Sequence, residues 1–213
     1  PVWRREVLTQ PAVVKTALDW ARAHQVKVIF DAGDVQANGF QLAEDETPGE
    51  IYNESGASYM GFAVSSLLAT GIADKPFYAL ALTGDGSLTM NPQILIDGVQ
   101  HGAQGCILLL DNRRMGAITG LQMDQYGHEV ATNDSVEVDY VVWAKSIKGV
   151  NALHAGYSLE ELKGALESAF EHKGLSLIHV PVYFGDHEMG GLGVYGRWNV
   201  GNWFEDTQAL RRD

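Results

Sequence analysis

The amino-acid sequence predicts an α/β fold in which a parallel sheet is sandwiched between helices. Segments with helical periodicity alternate with short, predominantly apolar runs, which lie at residues 26–33, 77–86, 105–112, 150–155 and 175–183. Strands that are apolar along their length are typical of parallel sheets buried on both faces. Helices between such strands are expected to cover those two faces.

The helices are predicted from apolar periodicity and from the residues at their termini. Residues 11–24 have helical spacing, with Thr9 as the N-cap and Pro11 in the first turn. A capping-box pattern that begins at Ser158 opens a helix continuing to about His172. The other predicted helices lie at 60–73, from Asn91 onward for about ten residues, and at 138–148.

Composition excludes several classes of function. The 213 residues contain 27 acidic and 15 basic side chains, for a net charge of −12. A surface this acidic repels nucleic acid and anionic lipid, so we expect neither as a partner. Because no apolar run approaches the ~18 residues of a membrane helix and no signal peptide opens the chain, we expect a cytoplasmic protein without membrane contact. The single cysteine excludes a disulfide framework.

Polar residues follow three of the predicted strands, at 33–34, 84–86 and 111–112. In an open parallel sheet, ligands bind at the carboxyl ends of the strands. A carboxylate from Asp85, an amide oxygen from Asn112 and a loop carbonyl suit Mg²⁺, which takes few protein ligands and completes its shell with phosphate and water. The helix predicted from Asn91 favours a phosphate nearby, because the first amides of a helix are unpaired. Gly-Asp-Gly alone is more often a plain turn, but the strand, turn, helix, strand and asparagine in this order argue against that interpretation.

Residues 84–118 resemble the signature of thiamine diphosphate-dependent enzymes, in which Gly-Asp-Gly is followed, after a helix and a strand, by an asparagine. The resemblance extends over nearly the whole chain. Residues 58–71 and 138–152 are similar to segments of acetolactate synthases. Short stretches at 31–34, 59–62 and 118–122 resemble trihydroxycyclohexanedione hydrolase, an acetolactate-synthase relative.

The signature departs from the family at one position. Many relatives carry two asparagines where this chain has Asp111 and Asn112. Asn112 matches the metal-ligating position, so the resemblance implies a Mg²⁺ held by the side chains of Asp85 and Asn112 and by the backbone carbonyl of Arg114. The residues implied to contact thiamine diphosphate are Gly33, Asp34, Val35, Ser58, Tyr59, Met60, Gly84, Gly86, Ser87, Gly116 and Ala117.

Individual roles also follow from the resemblance. Gly86 and Ser87 are implied to contact the diphosphate. The backbone carbonyl of Ser58 is implied to contact the aminopyrimidine ring of the cofactor. Met60 is implied to act as an apolar wedge that holds the cofactor in a bent conformation. Asp34 is expected to use its backbone, because its carboxylate would face phosphate. Without the resemblance, Met60 at a helix start would be read as core packing.

The resemblance implies the diphosphate-binding domain of a thiamine diphosphate- and Mg²⁺-dependent lyase or transferase of the acetolactate synthase or 2-oxo acid decarboxylase type. Such an enzyme cleaves or forms a carbon–carbon bond next to a carbonyl in a small 2-oxo acid or diketone. The alternatives are a cyclic-diketone hydrolase subunit and a non-catalytic regulatory subunit that keeps the fold. A flavodoxin-like or dinucleotide-binding domain is disfavoured, because no fingerprint follows the first strand. His101 and His179 lie in apolar surroundings and are expected to be packed, and Cys106 has no placed histidine.

The chain matches only one of the two domains that such enzymes need. In the family, the glutamate that activates the cofactor lies on a pyrimidine-binding domain across a dimer interface. We therefore expect a separate pyrimidine-binding chain as partner, in a hetero-oligomer with two copies of each, and we assign no catalytic residue here. The domain is predicted over residues 1–183. The Gly- and Trp-rich tail at 184–213 is predicted to dock over the cofactor cleft or the partner, with Trp198 and Trp203 as anchors.

Overall fold

One parallel sheet organises the protein. The computed structural model describes residues 2–132 and 136–185. The strands within these ranges are β1 (Lys27–Phe30), β2 (Ile51–Asn53), β3 (Ala79–Gly84), β4 (Gly105–Asp111), β5 (Asn151–His154) and β6 (Leu175–Pro181). They pair in the order β2-β1-β3-β4-β6-β5, and every pairing is parallel. The predicted fold class is confirmed.

Helices cover both faces of this sheet. Those in the described part of the chain are α1 (Gln10–Ala23), α2 (Asp34–Leu42), α3 (Phe62–Ser66), α4 (Leu68–Ile72), α5 (Asp85–Leu88), α6 (Ile94–Gln100), α7 (Gly116–Tyr126), α8 (Tyr140–Lys145) and α9 (Leu159–His172). Across the described residues, no helix combines the length and the apolar character needed to span a membrane.

The helix predictions hold best where the termini are encoded locally. At the start of α9 the capping box is present, with Glu161 N donating to Ser158 Oγ at 3.2 Å and Ser158 N donating to Glu161 Oε2 at 3.0 Å. Thr9 occupies the N-cap of α1 but makes no side-chain capping bond. The helix predicted from Asn91 begins only at Ile94, because the Asn91 side chain donates to Ser65 Oγ instead of capping it.

One helix prediction needs correction, several elements were not predicted, and the predictions for the tail fall outside the described residues. The single helix expected over 60–73 is two short helices, α3 and α4. Helices α2, α5 and α7 and strand β2 were not predicted, and α5 begins where a turn was expected after β3. The predicted anchors of the tail, Trp198 and Trp203, lie outside the described residues, and so does most of 184–213.

Two hydrophobic layers sandwich the sheet. On one side, α1, α2 and α9 pack against strand residues such as Phe30, Leu82 and Leu108. On the other side, α3, α6 and α8 pack against strand residues that include Leu109. Cys106 lies within the first layer, is 1% exposed, and has its thiol pKa raised by burial, which agrees with its predicted lack of a nucleophilic role.

A buried carboxylate ties together the segments that end at the carboxyl edge of the sheet. Asp31 follows β1 and is 0% exposed. Its Oδ1 accepts hydrogen bonds from Ala32 N at 2.9 Å and Gly61 N at 2.8 Å, and its Oδ2 accepts from Thr83 Oγ1 at 2.8 Å. The Ser87 hydroxyl also bonds to it. Burial raises the pKa of Asp31, while these donors lower it.

We predict that Asp31→Ala destabilises the protein by about 3–5 kcal/mol, because the buried donors lose their shared acceptor. Asp31→Asn is expected to cost only about 1 kcal/mol, since the amide oxygen can still accept and its NH₂ can donate to Thr83. Urea unfolding followed by circular dichroism measures both losses. Equal losses for alanine and asparagine would show that the hydrogen bonds of Asp31 do not hold the segments together.

Candidate functional site

A cavity of about 270 Å³ lies at the carboxyl ends of β1, β3 and β4, which are neighbours in the sheet. Thirteen of the fourteen predicted site residues line it: Gly33, Asp34, Val35, Ser58, Met60, Gly84, Asp85, Gly86, Ser87, Asn112, Arg114, Gly116 and Ala117. Tyr59 is the exception, because its side chain is 67% exposed and lies outside the cavity lining. Residues far apart in the chain therefore meet in one place.

The predicted metal ligands occupy two adjacent strand ends. Asp85 begins α5 directly after β3, Asn112 directly follows β4, and both are buried. Asn112 Oδ1 accepts a hydrogen bond from Arg114 N at 3.1 Å, which fixes the amide within its turn. No group of three or more histidine, cysteine or acidic residues that could hold a metal is found in the described ranges. One carboxylate beside a neutral amide oxygen is a donor set that suits Mg²⁺ supplemented by phosphate or water.

Two glycines leave bare backbone at the cavity wall. A Cβ on Gly86 would lie 2.6 Å from Met115 Sδ. A Cβ on Gly116 would overlap the Asp34 carboxylate and lie 2.8 Å from Asn112 Nδ2. Side chains cannot be added at either position without moving these neighbours, so both glycines are required by close packing within the protein at the edge of the cavity.

Three helices start at the cavity. Their first residues, Asp34 in α2, Asp85 in α5 and Gly116 in α7, all belong to its lining. The unpaired amides of a helix N-terminus favour an anion such as a phosphate group. The sequence predicted that the helix beginning at Asn91 would lie near a phosphate, but the corresponding helix, α6, contributes no lining residue. The helices that start beside the cavity are therefore not the one that was predicted to do so.

The loop that carries Ser58 and Met60 is anchored at both ends. Upstream, the Glu54 carboxylate accepts hydrogen bonds from three backbone amides, including Ala57 N at 3.0 Å and Tyr59 N at 3.1 Å, and these bonds lower the pKa of Glu54. Downstream, the Gly61 amide is held by Asp31, as described above. The Met60 Cε atom lies 3.4 Å from where a Cβ on Gly86 would be. Met60 therefore lies beside Gly86 in the cavity lining.

Asp34 places a buried carboxyl group at the cavity. The residue is 7% exposed, and its Oδ1 accepts no hydrogen bond from the described residues. Burial raises the pKa of this carboxyl to about 7. Its backbone carbonyl accepts from Asn38 Nδ2 at 3.0 Å.

Several residues of the site escaped the sequence analysis. Asp31 was noted only as part of 31–34, although an acidic residue directly after a buried strand was an available signal. His179 is packed as expected, at 8% exposure, but it also bonds to Asp111 Oδ2 at 2.8 Å. His101 is exposed, contrary to expectation. The cavity lining that no motif revealed consists of Gln10, Ala32, Leu110, Met115 and Ile118.

Known proteins are similar in sequence to most of this chain. The protein is 35% identical over 162 residues to 3D-(3,5/4)-trihydroxycyclohexane-1,2-dione hydrolase of Bacillus licheniformis, which covers 73% of this chain and 25% of the hydrolase. It is 25% identical over 181 residues to the acetolactate synthase isozyme 2 large subunit of Escherichia coli, which covers 83% of this chain and 32% of that subunit. The matched region thus spans about a quarter to a third of these relatives.

A solved structure shares the fold of this chain, and the family match covers the three strand ends of the cavity. The thiamine diphosphate-dependent 4-hydroxybenzoylformate decarboxylase of Rhodococcus jostii superposes with a TM-score of 0.73 at 19% identity, over 86% of this chain and 34% of the decarboxylase, and shows the same fold. Residues 31–180 match the family described as thiamine pyrophosphate enzyme, C-terminal TPP binding domain. Since this match covers most of the chain and includes the three strand ends of the cavity, the chain belongs to the thiamine pyrophosphate enzymes through their C-terminal cofactor-binding domain.

Proposed function

We propose that this chain binds the diphosphate of thiamine diphosphate through Mg²⁺, as part of an enzyme that cleaves or forms a carbon–carbon bond next to a carbonyl. The observation that carries the proposal is the meeting of Asp85 and Asn112 at adjacent strand ends, within a cavity whose lining includes four glycines. When bound, the cofactor supplies an electron sink beside the reacting carbonyl carbon. The chain itself binds and orients it.

The cation is required by the charges of the site. The chain carries a net charge of −12, and the cavity lining contains the Asp85 carboxylate. A diphosphate brought here without a cation would meet like charge. Asp85, Asn112 and the carbonyl of Arg114 would hold Mg²⁺ between protein and diphosphate, while the amides at the starts of α2 and α7 would favour the phosphate oxygens.

We predict that thiamine diphosphate binding requires Mg²⁺ and that Asp85→Ala and Asn112→Ala each weaken it by at least about 100-fold, since each removes a direct ligand. Isothermal titration of the cofactor in Mg²⁺ and in EDTA measures this. Asp74→Ala, which removes an exposed acid, serves as the control and should bind like the parent. Binding by the parent in EDTA as tight as in Mg²⁺ would contradict the metal assignment.

The comparisons favour a diketone substrate over a 2-oxo acid. The hydrolase of Bacillus licheniformis, whose name specifies a cyclic 1,2-dione, is 35% identical, whereas the acetolactate synthases are 25% and 28% identical. We therefore propose hydrolytic cleavage of a carbon–carbon bond in a cyclic diketone, and place acetolactate synthase-type or decarboxylase chemistry second. This reverses the order that the sequence motifs alone suggested.

A partner surface lies beside the cavity. Large apolar side chains are exposed there: Tyr59 follows Ser58 in the anchored loop, Met90 lies next to Gly61, and Ile118 lines the cavity. Apolar surface of this kind is typical of an interface with another domain or chain. Glu54 is occupied by the backbone of its own loop and is not available to the cofactor's ring. We propose that a pyrimidine-binding domain on a partner chain covers this surface and supplies the activating glutamate.

We predict that the isolated chain, with Mg²⁺ and thiamine diphosphate, turns over neither pyruvate nor a cyclic 1,2-diketone, because the activating carboxylate is elsewhere. The complex isolated through a tag on this chain is expected to cleave the diketone faster than it consumes pyruvate. Product analysis by chromatography measures both reactions. Robust turnover by the isolated chain would rule out the need for a partner.

The raised pKa of Asp34 links stability to pH. The carboxyl titrates near its ordinary value of 3.8 when unfolded and near 7 when folded. Between these values the folded state binds more protons than the unfolded state, so raising the pH through this window lowers stability. The loss is complete above pH 7 and amounts to at most about 4 kcal/mol.

We predict that Asp34→Asn, which cannot ionise, is more stable than the parent at pH 8, and that the difference shrinks toward pH 5. Thermal unfolding of the cofactor-free protein across this range measures the difference. Asp45→Asn removes an exposed carboxylate and should follow the parent at every pH. A gap between Asp34→Asn and the parent that does not grow with pH would show that Asp34 does not stay protonated in the fold.

A further inference from the structure

The turn after β4 is strained. It carries the proposed metal ligands Asn112 and Arg114, and the residue between them, Arg113, has a φ of 56°. Side-chain-bearing residues rarely adopt this left-handed conformation, so surrounding contacts must hold it. One such contact is a hydrogen bond from Arg113 N to Asp111 Oδ1 at 2.9 Å. The Asp111 carboxylate therefore stabilises the conformation that places both ligands.

The other oxygen of the same carboxylate is bound from a different strand. His179 in β6 lies 2.8 Å from Asp111 Oδ2 through its Nε2 atom. In the parallel ladder, His179 pairs with Leu109, and Asp111 comes two residues later on the same face of the sheet. Because a carboxylate oxygen can only accept, Nε2 carries the donated proton.

The imidazole is held in place by aromatic neighbours on three sides. Its ring centroid lies 5.6 Å from that of Tyr140, 6.0 Å from that of Trp3 and 5.3 Å from that of His154. Trp3 is itself fixed by a hydrogen bond from Nε1 to the carbonyl of Val182 at 3.1 Å. The donor that faces Asp111 thus has little freedom to turn away.

We propose that His179 is a positioning residue for the metal site. By donating to Asp111 it fixes that carboxylate, the carboxylate holds the left-handed turn at Arg113, and the turn sets Asn112 and Arg114 toward the cation. This inference rests on the proposed Mg²⁺ site and adds to it a residue from a strand that does not contribute to the cavity lining.

Binding of Mn²⁺, as a spectroscopic substitute for Mg²⁺, tests the inference without any turnover. At saturating thiamine diphosphate, electron paramagnetic resonance reports the free Mn²⁺, and a parallel titration without protein accounts for the Mn²⁺ that the diphosphate binds in solution, which leaves the affinity of the protein site. His179→Met fills similar space without a donor and is expected to weaken Mn²⁺ binding by about 10–100-fold. His179→Gln places an amide donor near the position of Nε2 and is expected to restore most of the affinity.

A matched control separates positioning from general damage. His101→Leu removes an exposed imidazole that does not line the cavity and is not among the neighbours of His179. This variant should bind Mn²⁺ like the parent. If His179→Met binds as tightly as the parent, or if His179→Gln binds no better than His179→Met, the positioning role is refuted.

Two further outcomes also decide the matter. If the parent protein binds no Mn²⁺ in the presence of the cofactor, both the proposed function and this inference are overturned. If the parent protein binds Mn²⁺ and the His179 variants do not behave as expected, only the role of His179 is overturned. If His179→Met does not fold, because Asp111 is left as a buried charge, the pair Asp111→Asn/His179→Met leaves no charge behind. The same loss of affinity is expected from the pair, and an unchanged affinity refutes the inference.

Discussion

The geometry of the site depends on one buried carboxylate. Asp31 accepts hydrogen bonds from Ala32 after the end of β1, from Gly61 in the loop before α3 and from Thr83 near the end of β3. Burying an ionised group is costly unless its oxygens are satisfied, and here both are. Each of these donors lies within one or two residues of a segment that lines the cavity. The Asp31 carboxylate therefore sets the positions of these segments relative to one another.

The two halves of the sheet contribute differently to the site. Strands β1, β3 and β4 deliver side chains and bare backbone directly to the cavity. Strand β6 contributes no lining residue but reaches the turn after β4 through His179 and Asp111. The acidic residue that departs from the family signature is therefore part of a buried pair across two strands, and the ligand beside it, Asn112, keeps its place.

Sequence reasoning succeeded where structure is encoded locally and failed where it is not. Buried strands and the capping box of α9 rest on short patterns, so they could be predicted. Helix α2 buries the polar side chains of Asp34, Gln36 and Asn38, so it lacks the apolar stripe that marks a helix. Asp111 and His179 are 68 residues apart, and no local pattern reveals such a pair. The resemblance to the family located most of the cavity lining, but it could not show how the loops are held.

The lone thiol of the chain gives the sheet a built-in reporter. Cys106 is the second residue of β4, which pairs with other strands on both sides, and burial shields its thiol and keeps it protonated. Reagents that modify cysteine need an accessible thiolate. Loosening of a surface loop leaves this atom covered, whereas lifting of the helices that cover this face of the sheet uncovers it. The rate at which the thiol becomes labelled therefore measures the opening of the hydrophobic layer under α1, α2 and α9 rather than motion of surface loops.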